Sequence, residues 1–243
     1  MGMPVVVEIA APQSPKVSAA LEEVFHYFML VDERFSTYKT TSEIARINRG
    51  EIAQGKWSGE MQEVFEWAEK TKKESRGFFD IRKPDGTLDP SGIVKGWAIH
   101  NAADTLHHCG FDNFSIEAGG DIQTRGKNPE GDEWSVGIRN PFNQEEIIKV
   151  LYPRNRGIAT SGSYMRGDHI YNPHAPQEPI RDIVSITVVG PTILEADRFA
   201  TVAFAMGERG IQYIESVPGL EAYMVTKDGM ATMTTNFEAL THI

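Results

Sequence analysis

Cysteine is nearly missing from this 243-residue chain, in which Cys109 stands alone. A single thiol closes no disulfide within the chain and argues against a thiolate metal site. No stretch approaches the ~18–20 apolar residues of a membrane-spanning helix. The opening "MGMPVVVEIA" lacks the charged region, apolar region and cleavage site of a signal peptide. The expectation is therefore a cytoplasmic protein as the sequence stands, or a periplasmic one if a targeting segment has been removed. Positive charge is also short: 24 Lys and Arg against 34 Asp and Glu leave a net charge of −10. A surface of that sign repels phosphate backbones and argues against general nucleic-acid binding. A polyphosphate ligand would need local relief, from a metal ion or from backbone N–H groups. Internal repeats and low-complexity linkers are missing too, and 243 residues permit one large domain or two small ones. With 40% hydrophobic and 24% charged residues the composition is ordinary for a globular protein, and the length is ample for a buried core.

Hydrophobic periodicity predicts a strand at 4–10 and an amphipathic helix at 16–33. A second helix at 58–75 carries Met61, Val64, Phe65 and Ala68 on one stripe, and a third at 92–109 is closed by Gly110. Apolar or alternating runs follow at 112–118, 134–139, 147–152, 157–160 and 183–189. A helix over 194–207, a short one over 207–215 and a strand pair at 220–226 and 230–236 around Asp228-Gly229 complete the chain. Helices come early and strands cluster late, which predicts an α+β fold rather than a doubly wound sheet.

Four stretches carry polar groups that a plain core would not need. In "LEADRFATVAFAMG" (194–207), Asp197 and Thr201 fall one turn apart on one helical face, with Thr192 and Glu195 spaced as a capping box. A carboxylate beside a hydroxyl suits a hard cation such as Mg²⁺. An Asp favoured by the helix dipole, with a Thr bonding back to a carbonyl, would look the same. "LDPSGIVKGWAI" (88–99) sets Asp89 and Ser91 at a helix start, an ordinary cap or a prepared anion site to which Lys95 adds a charge. "NFSIEAGGDIQTRG" (113–126) is interrupted by Gly119-Gly120-Asp121, which permits a bulge, a close ligand approach or only a tight bend. Residues 157–180 hold a long glycine-rich loop with His169, a possible proton carrier where a structural His is the commoner case.

Taken in order, these stretches resemble the ApbE family, the FAD:protein FMN transferases. The matching segments are "MGM" (1–3), "DERFSTYKTTSEIARIN" (32–48), "GFFDI" (77–81), "LDPSGIVKGWAI", "SIEAGGDI", "GIATSGSYMR", "HIYNP" and "SITVV…EADRFATVAFAMG". The resemblance implies a T-fold-like α+β core of mainly antiparallel sheet with packed helices. It also implies Mg²⁺ as cofactor and FAD as substrate. By position, the metal ligands would be the Gly92 carbonyl, Asp197 and Thr201. FAD would meet Met1, Tyr38, Phe78, Phe79, Asp80, Asp89, Lys95, Asp121 and Tyr171, and His169 would serve in proton transfer. The implied reaction moves the FMN moiety of FAD to a Ser or Thr hydroxyl of an acceptor protein and releases AMP. The alternatives are hydrolysis of FAD to FMN and AMP, or FAD binding without turnover. The chain departs from the family pattern at Ala200, where some members have Asp, and at His100, where Asp is usual. It departs again in "NPHAPQEP", which replaces the family's "DPxTGxP".

Overall fold

The computed structural model describes residues 3–163 and 170–242. Among them nine strands and six α-helices are arranged as the α+β reading expects. The strands are β1 (Val5–Ile9), β2 (Phe114–Ala118), β3 (Asp121–Arg125), β4 (Val136–Asn140), β5 (Asn143–Leu151), β6 (Gly157–Gly162), β7 (Ile183–Gly190), β8 (Glu221–Thr226) and β9 (Ala231–Met233). The helices are α1 (Pro15–Phe35), α2 (Glu43–Asn48), α3 (Gly59–Glu74), α4 (Ser91–His108), α5 (Ile193–Ala205) and α6 (Gly210–Glu215). A seven-stranded sheet runs β1-β2-β3-β6-β7-β8-β9, and β4 and β5 form a separate ribbon. Neighbours in both sheets pair antiparallel.

The late strands read as continuous apolar runs because the sheet is covered on both faces. Side chains alternate across a strand, and here the alternation divides two cores. Ala159, Ile186, Val188, Ala222 and Met224 face the helices and join the main core. Ile158, Val189, Tyr223 and Val225 face the other way, against Val136, Ile138 and Leu151 of the ribbon and the C-terminal Phe237 and Leu240. Helix α5 is central to the first core and is buried almost all round, Asp197 and Arg198 included.

Two local readings sharpen. The Gly-Gly interruption at 119–120 is the tight bend. It joins β2 to β3 as a two-residue hairpin with Ala118 opposite Asp121. Both glycines have positive φ, +60° and +90°, which other residues seldom adopt. The capping box of α5 is half formed. The Thr192 side chain accepts from Glu195 N at 3.2 Å, while the Glu195 carboxylate turns to Arg198 at 2.6 Å rather than back to Thr192.

Candidate active site

Helices α4 and α5 cross where α4 has glycine. A Cβ on Gly96 would lie 2.6 Å from Asp197 Cβ and 2.9 Å from the Ile193 carbonyl oxygen, so only glycine admits this approach. The closeness lets Gly96 N donate to Asp197 Oδ2 at 2.7 Å. In a regular helix that N–H serves the carbonyl four residues back, which is Gly92. An N–H committed to a carboxylate has less to give that carbonyl, and Thr201 Oγ1 lies 3.4 Å from the Gly92 oxygen. One turn of α4 thus presents a carbonyl oxygen to the face of α5 that carries Asp197 and Thr201.

Lys95, on the same turn, sits between two carboxylates. Its Nζ is 2.6 Å from Asp121 Oδ2 and 3.7 Å from Asp197 Oδ1. Asp121 opens β3 directly after the hairpin and is 1% exposed. Its Oδ1 accepts from Thr160 N on β6 at 3.2 Å. Burial pushes the Asp121 carboxyl up to about 7; Lys95 opposes the rise and nearby Asp197 adds to it. The Lys95 charge is already shared by carboxylates, so the cleft floor has no surplus of positive charge.

Above this floor opens a cleft of about 140 Å³, open to solvent at its mouth. Gly92, Lys95, Asp197 and Thr201 form one part of its lining. Phe78, Phe79 and Asp80, after α3, form a second, with Asp89 at the start of α4. Tyr171 and Pro173 form a third. Asp80 pairs with Lys72 at 2.7 Å, and Asp89 Oδ1 accepts from Ser91 N at 3.1 Å. Burial, with Asp80, Asp89 and Asp85 nearby, raises the Tyr171 hydroxyl above its ordinary range.

The structure therefore brings nine of the sequence-predicted residues to one cleft, and Asp121 to its floor through Lys95. Tyr38 is placed elsewhere: it is 95% exposed and does not line the cleft. Met1 and His169 lie outside the described residues. Sequence reasoning passed over Gly96 as a donor, and also Thr160, Ser161 and Gly162, which line the cleft beside Gly119, weighed above as a point of close ligand approach. Thr160, Ser161 and Gly162 belong to "GIATSG", whose small residues were the available signal.

The donor set fits a hard cation, since a carbonyl, a carboxylate and a hydroxyl oxygen face the same cleft. Among the described residues no group of three or more His, Cys, Asp or Glu is placed to hold a metal, so a metal here would depend on the Gly92 carbonyl and the Thr201 hydroxyl. Among the described residues, no helix is long and apolar enough to cross a membrane.

The chain is 32% identical over 163 residues to the FAD:protein FMN transferase of Klebsiella pneumoniae, covering 63% of this chain and 47% of that protein. It is 32% identical over 155 residues to the enzyme of the same name in Escherichia coli, covering 60% and 44%. The chain thus spans about half the length of the curated relatives it matches. In fold it is similar to the flavin transferase ApbE of Vibrio cholerae, with TM-score 0.84, 24% identity and coverage of 99% of this chain and 96% of that one. It is equally similar to the ApbE protein of Thermotoga maritima, with TM-score 0.84, 18% identity and coverage of 99% and 100%. The model of the ApbE family matches residues 1–84 and 81–224. The chain belongs to the ApbE family.

Proposed function

We propose that residues 1–243 form one flavin-transferase domain that moves the FMN moiety of FAD to a Ser or Thr hydroxyl of an acceptor protein. The observation that carries this reading is the meeting of the Gly92 carbonyl, Asp197 and Thr201 in a cleft walled by Phe78, Phe79 and Tyr171. The relatives' names supply the chemistry to test.

In this reading Gly92, Asp197 and Thr201 hold Mg²⁺, which when bound supplies charge to offset the pyrophosphate and polarises the phosphorus to be attacked. The chain's own residues do the rest. Gly96 N and Lys95 hold the Asp197 carboxylate, and Asp121 holds Lys95. The aromatic side chains Phe78, Phe79 and Tyr171 offer faces and edges for the rings of FAD, with Asp80 and Asp89 as polar contacts. Tyr38 and Met1 are assigned to FAD by their family positions, and His169 to the proton. The acceptor oxygen forms a bond to the phosphorus on the FMN side, the bond to the AMP oxygen breaks, and the hydroxyl proton passes to His169.

Product analysis tests the proposal. Purified chain is mixed with FAD and Mg²⁺, with and without a candidate acceptor domain. Transfer gives AMP only with acceptor, which gains the mass of FMN less one water. AMP and free FMN without acceptor would mean a hydrolase, and intact bound FAD under both conditions would mean a binding protein.

A further inference from the structure

The segment that follows Tyr171 and Pro173 leaves the cleft through His174, a residue the proposed chemistry does not use. Its imidazole reaches across to the turn that ends α3. Nε2 is 3.1 Å from the Arg76 carbonyl oxygen, the distance of an N–H donating to a carbonyl. The ring meets Phe78 edge-on, with centroids 4.6 Å apart and planes at 69°. The turn is shaped to receive it. Gly77 has φ +86°, and a Cβ there would lie 3.2 Å from His174 Cε1 and 3.4 Å from Nε2. Arg76 before it has φ +55°, uncommon outside glycine, so two successive left-handed residues form the seat of the ring.

His174 is also fixed from its own side. Its N donates to Asn172 Oδ1 at 2.9 Å, Ala175 N donates to Asn172 O at 3.0 Å, and Glu178 N donates to Ala175 O at 2.9 Å. Both partners of the contact carry cleft wall. Tyr171 and Pro173 lie within three residues of His174, and Phe78 is itself the ring it touches.

We infer that His174 is a positioning residue that clasps the Tyr171–Pro173 wall to the Phe78 wall and thereby sets the width of the cleft for the substrate's aromatic rings. The clasp itself is geometric; its consequence for FAD rests on the proposed function. With Nε2 given to a backbone carbonyl, His174 orients a wall rather than carrying the reacting proton.

The test uses the full chain with His174→Ala, His174→Gln, which keeps a donor, and His174→Phe, which keeps a ring. Hydrogen exchange at Ala175 and Glu178 is read without ligand, and FAD affinity is read at equilibrium with Mg²⁺. Exchange in His174→Ala should quicken about tenfold and FAD affinity should fall about tenfold, the size of one hydrogen bond with an aromatic edge contact. His174→Gln and His174→Phe should each recover part of both, so that affinity follows protection across the set. Unchanged exchange in His174→Ala overturns the clasp. Faster exchange with undiminished FAD affinity overturns its role in the cleft. A wild-type chain that binds no FAD would instead refute the proposed function, and the exchange result would still decide the clasp.

Discussion

Gly96→Ala is the smallest change that should damage both the fold and the site. The added methyl would sit 2.6 Å from Asp197 Cβ, 2.9 Å from the Ile193 carbonyl oxygen and 3.0 Å from Asp197 Oδ2. The two nearest of these atoms are a Cβ and a backbone carbonyl oxygen, which cannot swing aside, so α4 and α5 must part. Overpacking of this kind costs about 1–3 kcal/mol. Losing the 2.7 Å bond from Gly96 N to a buried carboxylate costs about 1.5–3 kcal/mol more. Better helix propensity returns about 1 kcal/mol, leaving a net loss of about 1.5–5 kcal/mol. In a chain of this length that lowers Tm by about 3–20 °C. Gly92→Ala is the control, because its methyl would meet only side-chain atoms, Phe79 Cε2 at 3.2 Å and Thr201 Cγ2 at 3.4 Å. Its loss should stay below about 1 kcal/mol. Thermal melts of the two variants, followed by FAD titration of whatever remains folded, give the answer. Equal melts, or a Gly96→Ala protein as stable as wild type, would refute the account of the helix crossing.

Lys95→Met removes the cation between Asp121 and Asp197, which should cost about 3–5 kcal/mol. The loss should be smaller at about pH 5.5 than at about pH 8, since Asp121 can then keep its proton; equal losses at both would contradict the ion triad. Asp121 itself is held up to about 7, so its folded form keeps a proton that the unfolded chain releases above about pH 4. Stability from this group is complete below about pH 4 and is lost as pH rises through 7. The Tm of Asp121→Asn relative to wild type should therefore climb across that window, and a difference independent of pH would be the contrary result. Arg198 is buried against Thr71, Glu74 and Glu195, with its guanidinium 4.1 Å from the Phe199 ring centre. Urea titration of Arg198→Ala should show a loss of about 3 kcal/mol with FAD affinity kept; a loss under about 1 kcal/mol would mean the network is idle.

The parts of the site that sequence shows are those set by local rules. Asp197 and Thr201 share a face because helical spacing puts them there, and Thr192 marks the start of that helix. The Gly119-Gly120 pair showed that the chain must bend or be approached, while the choice needed β2 and β3 to be seen in register. Pairings made across the fold were hidden. Lys95 and Asp121 are far apart in sequence, and only the placing of α4 against β3 joins them. Gly96 inside a helix reads as a weak position until a neighbouring helix fills the space its missing side chain leaves. Tyr38 shows the converse: its motif position implies contact with FAD, yet the chain beyond α1 leaves its ring in solvent.

In the proposed function, Gly92, Asp197 and Thr201 hold a divalent cation that makes FAD binding favourable in an acidic protein. The direct measurement is FAD affinity in Mg²⁺ and in EDTA, for wild type and for Asp197→Asn, which keeps an acceptor for Gly96 N. Wild-type affinity should rise at least about tenfold with Mg²⁺, the worth of a single strong charged contact, and Asp197→Asn should show no such rise. Equal wild-type affinities in Mg²⁺ and EDTA, or an Asp197→Asn protein that responds to Mg²⁺ as wild type does, would contradict it.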